Sequence, residues 1–225
     1  MVCDSCNNYF SLKIEKPTLE HYFFKNLRFR NHIESKKGRL PKGNCIIPFL
    51  DDRPEIWFPE DTNSIKINVN KKSFQKIFEE GIKHIYIPFS FPFPEKSQYV
   101  SRFLAKIGYE FLVLNLIQNN VEDQESIIDD PALDPIRAYV RYNSKNENWD
   151  YFVRKIYDET ETFLREGNVV DMIFECDFLL TPQEEIYFII VFKGVEFALN
   201  LAGDSIEGYQ QWLDQNEGTS PLYLM

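Results

Sequence analysis

Two cysteines near the start of the chain are the residues whose type and spacing best suit chemistry. Cys3 and Cys6 are separated by two residues, which allows both thiolates to bind one tetrahedral zinc ion. A closed zinc site takes four ligands, so this pair supplies half of one. The alternative is two small residues in a flexible start that bind nothing, and the spacing alone leaves both interpretations open.

The residues that follow the pair extend the pattern. Asn7 and Asn8 come directly after Cys6, and an aromatic pair follows them. Three further segments follow in this order: Lys-x-Glu-x-Pro (13–17), Asn-Leu-Arg (26–28) and Lys-Lys-Gly-Arg-x-Pro (36–41). Over residues 1–45 this arrangement resembles the second half of a bacterial HNH endonuclease motif.

The resemblance implies a ββα-metal unit that hydrolyses phosphodiester bonds in nucleic acid. In such a unit a histidine deprotonates water, and a Mg²⁺ or Mn²⁺ ion held by an acid and a His or Asn stabilises the leaving oxygen. By resemblance, Asn7 is a ligand of that ion, and Cys3 and Cys6 are ligands of a structural zinc ion.

The first half of the family motif, with its own Cys-x-x-Cys and an acid-His segment, is not present in this chain. His21, His32 and His84 all follow the cysteines, and none stands in an acid-His context. The resemblance therefore implies a truncated, HNH-like protein without its general base. We expect it to be inactive as this chain, and whether it is an enzyme stays open.

Charge separates two parts of the chain. The formal net charge is −10, but residues 1–44 carry nine Lys and Arg against four Asp and Glu, leaving −15 for the remainder. The basic part is the only one suited to phosphate contact, and Lys36, Lys37 and Arg39 are the candidate nucleic-acid contacts. The acidic part favours a protein partner or a basic ligand.

A rival hypothesis is a non-catalytic binding or regulatory protein, in which the cysteine pair is vestigial. The chain has no Gly-rich phosphate loop, no Gly-x-Ser-x-Gly elbow and no His-Glu-x-x-His pair, which argues against common hydrolases and nucleotide enzymes. Asp171, Glu175 and Asp177 share one face of a predicted strand. A solvent-facing acidic row is favoured there over a metal site.

Location follows from what the sequence lacks. Its longest apolar runs, near 187–192 and 195–202, are far shorter than the roughly 20 residues that span a bilayer. The first residues have neither the basic start nor the apolar run of a signal peptide. We expect a cytoplasmic protein with reduced thiols and no membrane contact.

Apolar spacing predicts the elements that position these residues. Helices are expected at 18–33, at 71–81 with Phe74, Ile77 and Phe78 buried, at 95–116 with Arg102 and Lys106 on a solvated face, and at 149–163. An exposed loop is expected at 121–134. Strands are expected at 64–69, 84–88, 136–142, 169–180, 185–192 and 195–202, with Lys193 and Gly194 as a hairpin turn.

The pattern predicts an α+β fold, an antiparallel β-meander with helices packed over it, preceded by the partial HNH remnant. On charge and motif content we divide the chain into residues 1–44, a zinc- and metal-binding remnant, and residues 45–225, an α+β body of unknown role.

Overall fold

The computed structural model describes residues 3–59, 64–88, 92–119, 121–122, 124–143 and 149–223. Two compact units emerge. One joins the described residues up to Thr18 with those from Pro94 onward, and the other spans Leu19–Phe93. These borders differ from the charge-based border after residue 44. Among the described residues, no helix is both long and apolar enough to cross a membrane.

The chain begins with a continuous helical segment. Helix α1 (Asp4–Phe10) runs through a π-helical stretch (Ser11–Glu15) into α2 (Lys16–Glu20). Helix α3 (Tyr22–Arg30) follows after a break at His21. The helix predicted at 18–33 is thus confirmed, but the residues before it are helical as well.

The Leu19–Phe93 unit contains a small antiparallel sheet of β1 (Gly43–Asn44), β2 (Glu55–Trp57) and β3 (Lys66–Asn68), in that order. One hydrophobic cluster of this unit contains four buried apolar residues among those described. These are Phe29, Cys45, Ile47 and Ile56. The strand predicted at 64–69 is confirmed, whereas at 84–88 only an isolated bridge from Tyr86 to Ile46 forms.

Helix α4 (Lys71–Glu79) lies where the sequence predicts it, but its burial was predicted wrongly. Ile77 packs against the core of this unit, while Phe74 is 60% exposed and Phe78 is 82% exposed. A nine-residue helix has a single narrow contact face here, and these two rings lie outside it.

The other unit continues with three helices that face one another. They are α5 (Gln98–Gln118), α6 (Gln124–Ile128) and α7 (Asp134–Tyr142). The loop predicted at 121–134 is therefore wrong in part, and the strand predicted at 136–142 is wrong. Ile136, Tyr139 and Val140 are buried, which is helical spacing, and Pro135 stands in the first turn, where proline favours a helix.

A four-stranded antiparallel sheet forms the rest of this unit, with order β4-β9-β8-β7. Its strands are β4 (Tyr151–Lys155), β7 (Phe174–Leu180), β8 (Ile186–Phe192) and β9 (Val195–Asn200). Strands β5 (Phe163–Arg165) and β6 (Asn168–Val170) form a separate hairpin, and α8 (Glu207–Gln215) follows the sheet. The α+β class and the predicted meander are confirmed, but the helix predicted at 149–163 is wrong because β4 pairs with β9.

The middle of the sheet is covered on both faces. Phe188 of β8 points towards α5, where a Cβ on Gly108 would lie 2.8 Å from its ring. Its neighbour Tyr187 points the other way, and its ring centroid lies 5.6 Å from that of Tyr209 on α8. Glycine at 108 therefore permits close helix-sheet contact, and β8 and β9 are almost entirely buried.

A charged cluster is buried beneath α8. Arg154 on β4 donates from Nε to Oε1 of Glu196 on β9 at 2.5 Å, and from Nη1 to the Gly218 carbonyl at 2.6 Å. Tyr209 donates its hydroxyl to the same Oε1 at 2.9 Å. Glu196 is completely buried, so the two donors replace water around its Oε1, while its Oε2 has no hydrogen-bond partner among the described residues. Burial and the Glu196 charge raise the pKa of Tyr209.

The predicted Lys193-Gly194 turn is confirmed, with φ +47° and +80° at the two residues. We expect Gly194→Ala to destabilise the protein by about 1–3 kcal/mol, because alanine is strained at this φ and its Cβ would collide with the Tyr157 carbonyl. Gly167→Ala is the matched control, since Gly167 has the same φ and open space around it. Urea unfolding of both variants measures the difference, and equal losses would contradict a role for the Tyr157 contact.

Candidate functional site

The residues predicted to bind metal lie at the start of α1. Cys3 caps the helix with an extended backbone, and its Sγ accepts a hydrogen bond from the Cys6 amide at 3.4 Å. Hydrogen bonds from Cys6 lower the pKa of the exposed Cys3 thiol. Asn7, one residue further on, is exposed.

These residues do not fit a closed zinc site. Within the described ranges, no group of three or more His, Cys, Asp or Glu side chains is placed to hold a metal ion. Cys3 and Cys6 therefore supply two ligands where a structural zinc ion needs four. A Mg²⁺ or Mn²⁺ ion at Asn7 would need at least one carboxylate ligand as well, and Asn7 belongs to no such group among the described residues.

The predicted nucleic-acid contacts lie on a loop of the Leu19–Phe93 unit. Lys36, Lys37 and Arg39 are exposed. The Ser35 amide donates to the Arg39 carbonyl at 2.8 Å, and Gly38 takes a left-handed φ of +69° to close the turn. The loop therefore presents its two lysines to solvent. The cysteine pair belongs to the other unit.

The acidic row of the sequence is divided among separate contacts. Asp171 precedes β7 and forms an ion pair with Lys193. Glu175 accepts hydrogen bonds from the hydroxyls of Tyr157 and Tyr223, and Asp177 is exposed. None of the three belongs to a metal-holding group among the described residues.

A groove lies between α1, α5, α6 and α7 in this unit. Its volume is about 600 Å³, and we call it the helical groove. Most of its wall is apolar or aromatic, and the following residues line it: Cys3, Cys6, Phe10, Lys106, Tyr109, Glu110, Val113, Ile128, Ile136, Arg137, Val140, Arg141 and Tyr142. The volume is within the range of small-molecule sites.

Tyr9 and Arg102 hold α1 against the other helices. Arg102, only 6% exposed, donates from Nη2 to the Tyr9 hydroxyl at 2.8 Å and to the Val140 carbonyl at 2.7 Å. One guanidinium thus connects α1, α5 and α7. The prediction that Arg102 and Lys106 form a solvated face is wrong, because the covering helix α1 lies more than ninety residues away in sequence.

Two of the three cations of the helical groove are neutralised locally. Lys106 lies 3.2 Å from a carboxylate oxygen of Glu15 and 2.7 Å from one of Glu110. Arg137 forms an ion pair with Asp134 at 2.5 Å. The Tyr109 hydroxyl bound to Arg137 is the main contact that raises the pKa of its guanidinium. Both side chains are therefore committed to holding the walls in place.

Arg141 is the exception. Its guanidinium carbon lies 4.1 Å from the ring centroid of Tyr9 and 5.4 Å from that of Tyr142. Among the described residues, no carboxylate forms an ion pair with it. A cation between two aromatic rings, at the edge of an apolar groove, keeps its hydrogen-bond donors available for an anion.

The apolar spacing at 136–141 could have predicted the wall of this groove that carries Arg141. Ile136, Arg137, Val140 and Arg141 follow one another at helical spacing, so a helix at 134–142 would have placed both arginines beside the apolar pair. In the predicted strand, Arg137 and Arg141 would lie on one face and Ile136 and Val140 on the other.

The comparisons with known proteins identify no relative. No family model matches the chain, no curated protein matches it, and no solved structure matches it. The functional argument therefore rests on the geometry above and on the residues themselves.

Proposed function

We propose that this chain is a binding protein whose helical groove holds an organic anion with an apolar body. The observation that carries the proposal is Arg141, a cation stacked between Tyr9 and Tyr142 with no carboxylate partner among the described residues. An anionic group would bind this guanidinium, and the apolar part of the ligand would lie along Phe10, Val113 and the neighbouring wall.

The electrostatics favour an anion over a cation in this groove. Lys106 and Arg137 already have acidic partners, whereas Arg141 forms no ion pair with a carboxylate among the described residues, so an anion is favoured locally at its guanidinium. The chain as a whole carries a net charge of −10, which weakens long-range attraction of anions. Binding is therefore expected to depend on the local contact and on apolar burial.

Isothermal titration calorimetry with 2-naphthoate tests the proposal. We expect saturable one-to-one binding, and weaker binding of 2-naphthalenemethanol, which has the same ring system without the charge. Equal affinity for the two compounds would show that the groove selects apolar bulk only. Absence of binding to either would exclude this class of ligand.

A second proposal retains the nucleic-acid hypothesis for the loop at 34–42. Lys36 and Lys37 are exposed there on a closed turn, which suits contact with a phosphate backbone without base specificity. HNH-like hydrolysis remains a hypothesis from sequence resemblance. It would also need a metal site, and the described residues assemble none with three such ligands.

We expect Lys36→Gln with Lys37→Gln to weaken binding of duplex DNA and to reduce the slope of log K against log salt by roughly 2. Fluorescence anisotropy across a salt series measures both quantities. The control is Lys71→Gln with Lys72→Gln, two exposed lysines on α4. The same slope in both double variants would rule out a specific role for the loop.

Metal-dependent cleavage is tested separately. We expect no nicking of plasmid DNA in Mg²⁺ or Mn²⁺, since Asn7 lies exposed on α1 and belongs to no three-ligand group within the described residues. Nicking that disappears in Asn7→Ala would contradict this expectation and restore the nuclease hypothesis.

A further inference from the structure

Cys3 and Cys6 are placed as a pair of thiols rather than as half of a metal site. Cys3 is the extended residue that precedes α1, with φ −69° and ψ 157°, and Cys6 lies in the first turn. The Cys3 sulfur lies 3.4 Å from the Cys6 backbone nitrogen, which is only three bonds from the Cys6 sulfur. Both residues line the helical groove.

This arrangement brings a disulfide within reach. Residues three apart at a helical turn have neighbouring Cβ atoms, and a disulfide needs Cβ atoms about 4 Å apart. Helical Cβ atoms three residues apart are about 5–6 Å from one another, so closing the bond needs a shift of about 1–2 Å, and Cys3 precedes the regular helix. Cys3 is exposed and Cys6 is half-buried, so a dissolved reagent meets Cys3 first.

We propose that Cys3 and Cys6 form a reversible disulfide by exchange with a small-molecule disulfide such as oxidised glutathione. The Cys3 sulfur gives its proton to solvent, attacks one glutathione sulfur and releases one glutathione, leaving a mixed disulfide. The Cys6 sulfur then loses its proton and attacks the Cys3 sulfur, which releases the second glutathione. Two protein thiols are oxidised, and one glutathione disulfide is reduced to two thiols.

The other two cysteines are in different surroundings. Cys45 is completely buried in the core of the Leu19–Phe93 unit, and burial raises its thiol pKa. Cys176 is half-buried on β7. Neither has a second cysteine three residues away, so reversible oxidation is expected at the Cys3–Cys6 pair alone.

The test incubates the full chain with oxidised or reduced glutathione, blocks remaining thiols with N-ethylmaleimide and maps peptides by mass spectrometry. We expect a Cys3–Cys6 crosslink under oxidising conditions, loss of two of the four cysteine thiols when they are counted in the denatured protein, and recovery of both on reduction. Cys6→Ser should instead accumulate one glutathione on Cys3. Cys176→Ser is the matched control and should keep the crosslink.

Two outcomes would overturn the inference. One is the absence of a Cys3–Cys6 crosslink in fully oxidising buffer, with both thiols still open to maleimide. The other is one zinc ion per chain in the purified protein, protecting both thiols from maleimide and from oxidation. That second result would assign the pair to a metal site completed by ligands beyond those described.

Discussion

Replacing Arg141 with glutamine should weaken binding of 2-naphthoate by about 10- to 100-fold, because a hydrogen-bonded charge contributes about 1.5–3 kcal/mol. Affinity for 2-naphthalenemethanol should change little, since the alcohol carries no charge to match the guanidinium. Calorimetric titration of both compounds against both proteins measures the two effects. Loss of the preference for the anion is the result that identifies Arg141 as its anchor.

Two further variants make the Arg141 result specific. Arg141→Lys keeps the charge but loses the planar stacking on Tyr9, so we expect an intermediate affinity. Lys71→Gln removes a charge from an exposed position of the Leu19–Phe93 unit and should leave binding unchanged. Naphthoate affinity that survives in Arg141→Gln would place the anion elsewhere.

Replacing Arg154 with methionine should lower the free energy of unfolding by about 3–5 kcal/mol, because it leaves the buried Glu196 carboxylate without its cation. Tyr209 would remain as a donor to Glu196, and a single neutral hydrogen bond does not offset the loss of the charge. Urea unfolding followed by tryptophan fluorescence measures the change.

The neighbouring residue provides the control for this prediction. Lys155 pairs with Asp158 at the surface, so Lys155→Met should cost less than about 1 kcal/mol. Adding Glu196→Leu to Arg154→Met removes both buried charges and should recover most of the lost stability. A single-variant loss as small as that of Lys155→Met would contradict the stabilising role of the Arg154–Glu196 ion pair.

Local patterns predicted the parts of the fold that depend on nearby residues. The hairpin of β8 and β9 follows from strict alternation on both sides of Lys193-Gly194, so its turn and strands were correct. Helix α5 follows from a long apolar stripe. Each of these signals is complete within about twenty residues.

Distant partners explain the errors. β4 becomes a strand because it pairs with β9, more than forty residues later, whereas its own apolar spacing also suits a helix. The same reason applies to Arg102, whose burial depends on Tyr9, 93 residues earlier in the sequence. The helical groove lies between α1, α5, α6 and α7. Helical spacing at 136–141 could predict the wall that carries Arg141, whereas the α1 wall depends on a contact across more than ninety residues.

The HNH resemblance, the zinc and magnesium or manganese sites, the cytoplasmic location and a protein partner for the acidic body stay predictions. The resemblance was carried by residue order near the start of the chain. The structure places Cys6 and Asn7 on α1 with Cys3 as its N-cap, and the basic loop lies in the other unit. The nucleic-acid and metal predictions are tested by the DNA-binding, nicking and zinc measurements described above.

In the sequence, the helix α1 that forms one wall of the helical groove precedes the Leu19–Phe93 unit, and the other walls, α5, α6 and α7, follow it. On the ribosome, α1 emerges first and then waits while the chain up to α5 and α7 is made. At about 5–20 residues per second this delay is on the order of ten seconds. Tyr9 and Phe10 are without their final partners during that time, so the groove can form only after α7 has been made.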